Sequence, residues 1–188
     1  MAEKPAAATA AAAAQAPTAA AAAQAPTAAP APTPAAASTP VLRPFHLAIP
    51  VRDIAEARAF YGGLLGFSEG RSSATWVDFN CYGSQLVAHR VEGYSAQTAQ
   101  NAVDGDAVPV PHCGAALSVE EFHELSARLS AGGAAFGFAG FEIEPHLRFV
   151  GKPGEQWTMF FRDPSGNALE FKAMTNPENL FAKYVVED

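Results

Sequence analysis

Two stretches of the chain repeat one pattern of apolar and polar positions. In the first, Phe45, Leu47 and Ile49 alternate with His46, Ala48 and Pro50, the period of two expected of a strand with one buried face. Asp53 then fits a helix N-cap, with Glu56 at capping-box spacing. Ala57, Phe60, Tyr61, Leu64 and Leu65 make an apolar stripe at helical spacing, and Gly66 supplies a stop. In the second stretch, Cys113, Ala115 and Leu117 alternate with His112, Gly114 and Ala116. Ser118 and Glu121 supply the cap, Phe122, Leu125 and Leu129 the stripe, and Gly132 and Gly133 the stop. His46 and His112 lie 66 positions apart and the caps 65 apart. Such agreement predicts an internal duplication.

The segment after each helix is strand-like. In the first half, Thr75–Tyr82 and Gln85–Val91 flank a short turn at Gly83 and Ser84. In the second, Trp157–Arg162 and Asn167–Lys172 flank Asp163-Pro164-Ser165-Gly166, which suits a type I turn. Shorter strands are expected near Phe67–Arg71 and Ala134–Phe138, and EPHLRF (144–149) reads as a loop between strands. The fold class is therefore α+β. Two paired βαβββ modules, about 44–92 and about 110–175, are expected to form a curved sheet around a cleft, with both helices outside.

Composition divides the chain differently. Residues 1–40 are almost all Ala, Pro, Thr and Gln. With no large apolar side chain to bury, they cannot offset the entropy of ordering and read as a disordered tail ahead of a 41–188 domain. The tail has no Arg and carries Glu3, a poor match to secretory and transit signals, although an organelle address stays open. No later segment approaches a membrane span. Cys81 and Cys113 are not a CxxC pair and suit a reducing, cytoplasmic setting. A formal net charge of -7 argues against nucleic acid as a partner.

The candidate chemistry comes from the strand faces. If Phe45, Leu47, Ile49, Cys113, Ala115, Leu117, Leu169 and Phe171 pack under the helices, then His46, His112 and Glu170 point the other way. Their same-face neighbours, Ala48, Gly114, Ala116 and Ala168, are small and leave room. Two imidazoles and a carboxylate can hold one side of a divalent metal and leave other positions open. A lone strand histidine is more often a satisfied polar residue. A histidine at the same place in both halves, joined by a strand-borne Glu, favours a metal.

FHLAIPVRD…ARAFYGGLLGF and DPSGNALEF resemble the opening and closing elements of the vicinal oxygen chelate superfamily, which includes glyoxalase I, extradiol dioxygenases and bleomycin-resistance proteins. The similarity spans about residues 44–175, and EPHLRF with KPGEQWTMFFRDPSGNALEFK looks closest to the predicted extradiol-type dioxygenases. The resemblance implies metal ligation by His46, His112 and Glu170. The family often has a fourth ligand on the last strand of the first half, where counting from Gly83 and Gly166 places Val87 opposite Glu170. Valine cannot ligate, and Gln85 or His89 would substitute only in another register. An open three-ligand site implies Fe(II) and a ring-cleaving dioxygenase-like oxidoreductase acting on a substrate with adjacent oxygens. Zn(II), Ni(II) or Mn(II) are the alternative ions. A glyoxalase I-like isomerase and a non-catalytic sequestering protein are the alternative functions, and a homodimer is compatible with each.

Other residues rank lower. His146 could move protons at the cleft mouth, Arg148 could hold an anionic substrate, and His89 could line the cleft. Glu120 and His123 have a di-iron spacing but no second copy of it, so a surface position is expected. Cys113 is expected to be a buried, inert thiol, and Tyr82 and Trp157 to be packing residues.

Overall fold

The computed structural model describes residues 43–185. The stretch expected to be a disordered tail, 1–40, lies outside these residues. The first half runs β1 (His46–Val51), α1 (Ile54–Ala57) continuing as π-helical Arg58–Leu64, β2 (Ser68–Ser72), β3 (Trp76–Cys81) and β4 (Ser84–Arg90). A hairpin comes next, β5 (Ala99–Val103) and β6 (Asp106–Val110). The second half runs β7 (Cys113–Ala116), α2 (Val119–Gly132), β8 (Phe141–Arg148), β9 (Gln156–Arg162) and β10 (Ala168–Met174). The sheets have matching orders, β1-β4-β3-β2 and β7-β10-β9-β8. In each, the first strand lies parallel to the last and the remaining pairs are antiparallel.

The local signals act as their chemistry requires. The Asp53 side chain accepts from the Glu56 amide. Glu56 itself turns to Arg52, so that capping box is half made. Ser118 and Glu121 make both capping hydrogen bonds. Gly66 (φ +77°) ends the first helix in the left-handed conformation that favours glycine. The first β-hairpin turns at Tyr82-Gly83, both with positive φ, rather than at Gly83-Ser84.

Two expectations fail in the second half. Ala134–Phe138 is not a strand: Gly133–Phe136 is a 3-10 helix closed by Gly137 at φ +86°. The missing strand is β8, which takes in most of EPHLRF. Pro145 masks it in the sequence, but β8 is an edge strand, where proline is tolerated. The β5–β6 hairpin was also not expected. Its signature is Asp104-Gly105, both residues at positive φ between two short strands.

One core serves both halves. Phe60, Tyr61 and Leu64 of the first helix and Phe122, Leu125 and Leu129 of the second are buried with Val77, Phe79, Leu86, Met159, Phe161, Leu169 and Phe171 from the two sheets. The Phe60 and Phe161 rings are 6.2 Å apart, and Tyr61 Oη donates to Asp163 Oδ2 at 2.8 Å. Each fully buried side chain of this size contributes about 1.5–3 kcal/mol. The helices therefore pack inside, against the apolar faces of both sheets, and do not lie outside a cleft. Alternation then sends the polar-bearing face of each sheet away from the core.

Candidate metal centre

Strand register confirms that the two outward faces correspond. Ala48 pairs with Val87 in the first sheet and Gly114 with Glu170 in the second. Val87 thus occupies the place of Glu170, as the sequence count implied. Across the neighbouring strand, Asp78 pairs with Val87 and Phe160 with Glu170. Each half has one carboxylate and one apolar residue in this cross-strand pair, on opposite strands.

In the second half, His112 Nε2 lies 3.2 Å from Glu170 Oε2, with the side chains 28% and 11% exposed. His112 Nδ1 is 2.6 Å from the Pro109 carbonyl oxygen. A carbonyl only accepts, so Nδ1 carries the proton and Nε2 faces Glu170. Thr158 Oγ1 donates to Glu170 Oε1 at 3.0 Å, and Lys172 Nζ is 4.0 Å from Oε2. Burial alone would push the Glu170 carboxyl up. The His112 and Thr158 hydrogen bonds and the Lys172 charge outweigh that and hold it below its ordinary value. The Glu170 hydrogen bond, against the cost of burial and with help from Pro109, raises His112.

In the first half, His46 Nδ1 is 2.7 Å from Gln85 Oε1. His46 is exposed, on the outward face of the other sheet. Among the described residues no group of three or more His, Cys, Asp or Glu is placed to share a metal ion. The donor set fits a divalent cation in kind, but one chain brings together only His112 and Glu170.

The other candidates take different places. His89 pairs with Pro50, at the far end of β4 from the His46–Gln85 pair, about 13 Å along the strand at 3.3 Å per residue. Its ring lies 6.5 Å from that of Trp76. His146 Nε2 is 3.2 Å from Asp106 Oδ2, and its Nδ1 is 2.7 Å from Glu144 O. His146 pairs across the sheet with Thr158 and so stands one strand from the Glu170 anchor. Arg148 is 3% exposed and is held by Asp106 and the Val103 carbonyl. It clamps the hairpin onto β8 and offers no free cation to a ligand. Beside it, Val108 of the hairpin packs on Ile143 and Phe160. The hairpin thus shields part of the outward face of the second sheet and carries the carbonyl that orients His112.

Among the lower-ranked residues, Cys113 is half-buried rather than fully buried, and the others lie where expected. Burial pushes the Cys113 thiol up to about 11, which leaves it protonated and inert. Tyr82 packs edge-on to Phe67 and Phe171, Trp157 packs on Phe122, and His123 is exposed. Asp78, Thr158 and Asp106 were missed by sequence reasoning. Asp78 had a readable signal: it sits between Val77 and Phe79 as Glu170 sits between Leu169 and Phe171.

Comparison with known proteins identifies the family of the fold. Residues 43–171 match the Glyoxalase/Bleomycin resistance protein/Dioxygenase superfamily. The chain belongs to that superfamily, the vicinal oxygen chelate proteins. Among solved structures it is similar to a glyoxalase/bleomycin resistance protein/dioxygenase from Alicyclobacillus acidocaldarius, at 28% identity and TM-score 0.59, covering 74% of this chain and 96% of that one. It also shares its fold with the fosfomycin resistance protein FosX of Listeria monocytogenes, at 22% identity and TM-score 0.52, covering 74% and 99% of the two chains. No curated protein matches the chain. Among the described residues no helix is long and apolar enough to cross a membrane.

Proposed function

We propose that the protein is a metal-dependent enzyme, dioxygenase-like, acting on small molecules with adjacent oxygens, and that its metal site is shared by two copies of the chain. His112 and Glu170 of one copy hold one side of the ion, and His46 of the partner subunit completes the set. The observation that carries this reading is the His112–Glu170 contact of 3.2 Å on an outward face, with His46 on the outward face of the other sheet. Among the described residues no three such donors cluster within one chain, and taking the third from a second chain completes the set.

Val87 in the place of Glu170 leaves three protein donors. When bound, Fe(II) or a similar ion would act as a Lewis acid and place two reactants side by side. The chain's own residues supply the rest. Pro109 O fixes the His112 tautomer, Thr158 and Lys172 keep Glu170 ionised, and His146, engaged by Glu144 O and Asp106, would move a substrate proton once Nε2 lets go of Asp106. His89 beside Trp76 lies at the rim of the face opposite. Arg148 acts by fixing the hairpin.

A second reading, a glyoxalase I-like isomerase, needs a fourth donor. Gln85, whose amide oxygen already faces His46, is the group that favours it. Metal analysis of the purified protein and then anaerobic reconstitution separate the readings. Oxygen uptake on catechols with Fe(II) supports the dioxygenase. Anaerobic isomerisation of a thiol adduct with Zn(II) or Ni(II) selects the isomerase. Ligand binding without turnover with any of these ions leaves a sequestering protein. Mixing His46→Ala with His112→Ala chains tests the shared site, since a mixed dimer regains one intact set. No recovery of metal binding on mixing rejects it.

A further inference from the structure

The first half contains a polar chain that the proposed ligand set does not use. Arg71 Nε donates to Asp78 Oδ2 at 2.9 Å. Gln85 Nε2 donates to the same oxygen at 3.0 Å, and Gln85 Oε1 is 2.7 Å from His46 Nδ1. The Asp78 side chain is 7% exposed, whereas that of Arg71 is 77% exposed. Arg71 also lies over the Trp76 ring, at 5.7 Å, which anchors the exposed end of the chain.

The direction of every hydrogen bond is set by the inventory of donors and acceptors. An ionised Asp78 only accepts, so the amide group of Gln85 that faces it must be the NH2. The amide oxygen of Gln85 therefore faces His46, and an oxygen only accepts. His46 must carry its proton on Nδ1, leaving the Nε2 lone pair outward. In the second half Pro109 O likewise takes the Nδ1 proton of His112, and Nε2 faces Glu170. The two halves are thus matched in the nitrogen each histidine presents, although one uses a backbone carbonyl and the other a buried carboxylate acting through an amide.

We infer that Asp78 and Gln85 are positioning residues that set the tautomer and ring orientation of His46, making Nε2 its ligating atom. Asp78 acts at a distance, by fixing which way round the Gln85 amide sits. The inference rests on His46 being a ligand, as proposed for the shared site, but the tautomer itself is a property of the metal-free chain. Partners of this kind typically change metal affinity by about 10–100-fold when removed.

Asp78→Leu is the discriminating change because it removes the single oxygen to which both Arg71 and Gln85 donate. Arg71 is exposed and stays solvated. Nothing then holds the Gln85 NH2 away from His46, so the amide can turn over and the His46 proton is no longer confined to Nδ1. Long-range nitrogen–proton NMR on the metal-free full chain, at a pH where the ring is neutral, reads the tautomer directly. We expect Nδ1–H in the wild type and a substantial Nε2–H population in Asp78→Leu, with Zn(II) affinity lower by about 10–100-fold in a chelator competition. Gln85→Leu, which removes the relay with no new buried donor, is the second variant and should also lose the Nδ1–H form. Nε2–H in the wild type, or an unchanged tautomer in both variants, overturns the inference. A switched tautomer with unchanged Zn(II) affinity upholds the relay and instead removes His46 from the ligand set.

Discussion

The two halves of this chain share a backbone and differ in where they keep their buried carboxylate. In the first sheet the cross-strand pair is Asp78 with Val87; in the second it is Phe160 with Glu170. Glu170 touches its histidine directly, whereas Asp78 reaches His46 only through Gln85. On the proposed reading, a duplicated fold has kept one function for the histidines and given the carboxylates two. One is a candidate ligand and the other an orienting group. The apolar member of each pair is as informative as the acid, since Val87 removes a donor that the second half retains.

The sharpest way to break this comparison is to remove donors one at a time. Glu170→Ala, His112→Ala and His46→Ala should each lower metal affinity by more than the roughly 10–100-fold typical of orienting groups, read by metal content after dialysis. If His46→Ala retains its metal, only the second half holds the site.

Forcing the halves to match should be costly. Val87→Glu would place a second carboxylate beside Asp78, at a position 5% exposed. We expect a loss of about 3–5 kcal/mol in urea unfolding, the size associated with an uncompensated buried charge. A neutral effect would mean that this face is wetter than its burial indicates.

A buried bond between the halves is the next test. Tyr61→Phe removes the 2.8 Å hydrogen bond to Asp163 and should cost about 1.5–3 kcal/mol, as for hydrogen bonds to charged groups. Burial, then the nearby Asp163 charge, raises the Tyr61 hydroxyl well above its ordinary value. The folded chain keeps a proton that the unfolded chain releases. Stability should therefore be full below the ordinary tyrosine value and fall as pH rises past about 10. Tyr61→Phe should flatten that alkaline slope, and an unchanged slope would assign it to other groups.

The smallest effect compares the helix caps. Ser118→Ala breaks a full capping box and Asp53→Ala a half-made one, so each should cost about 0.5–2 kcal/mol, the first more than the second. The reverse order in thermal unfolding would show that the return bond from Glu121 adds nothing.

Local rules were legible in the sequence because each depends on neighbours in the chain. Strand alternation placed His46, His112 and Glu170 on one kind of face, and the Gly83–Gly166 count placed Val87 opposite Glu170 without knowledge of the register. The caps Asp53 and Ser118 were equally plain. Where a local rule was obscured, the reading failed: Pro145 hid β8, and Asp104-Gly105 went unread as a hairpin turn.

By itself, then, the sequence determined the two βαβββ halves, their superfamily and which side chains leave the core. Only the tertiary structure decided how the halves meet. Alternation says that a face is apolar but not which other apolar face will cover it. The helix stripes had two sheets available, and burying Phe60 and Tyr61 against Phe161 and Phe171 as well as Phe79 turned the helices inward. In the resulting packing no three of the described His, Cys, Asp or Glu side chains share a metal position within one chain. That packing also made Asp78, one unremarked acid in a strand, the buried end of the chain that orients His46.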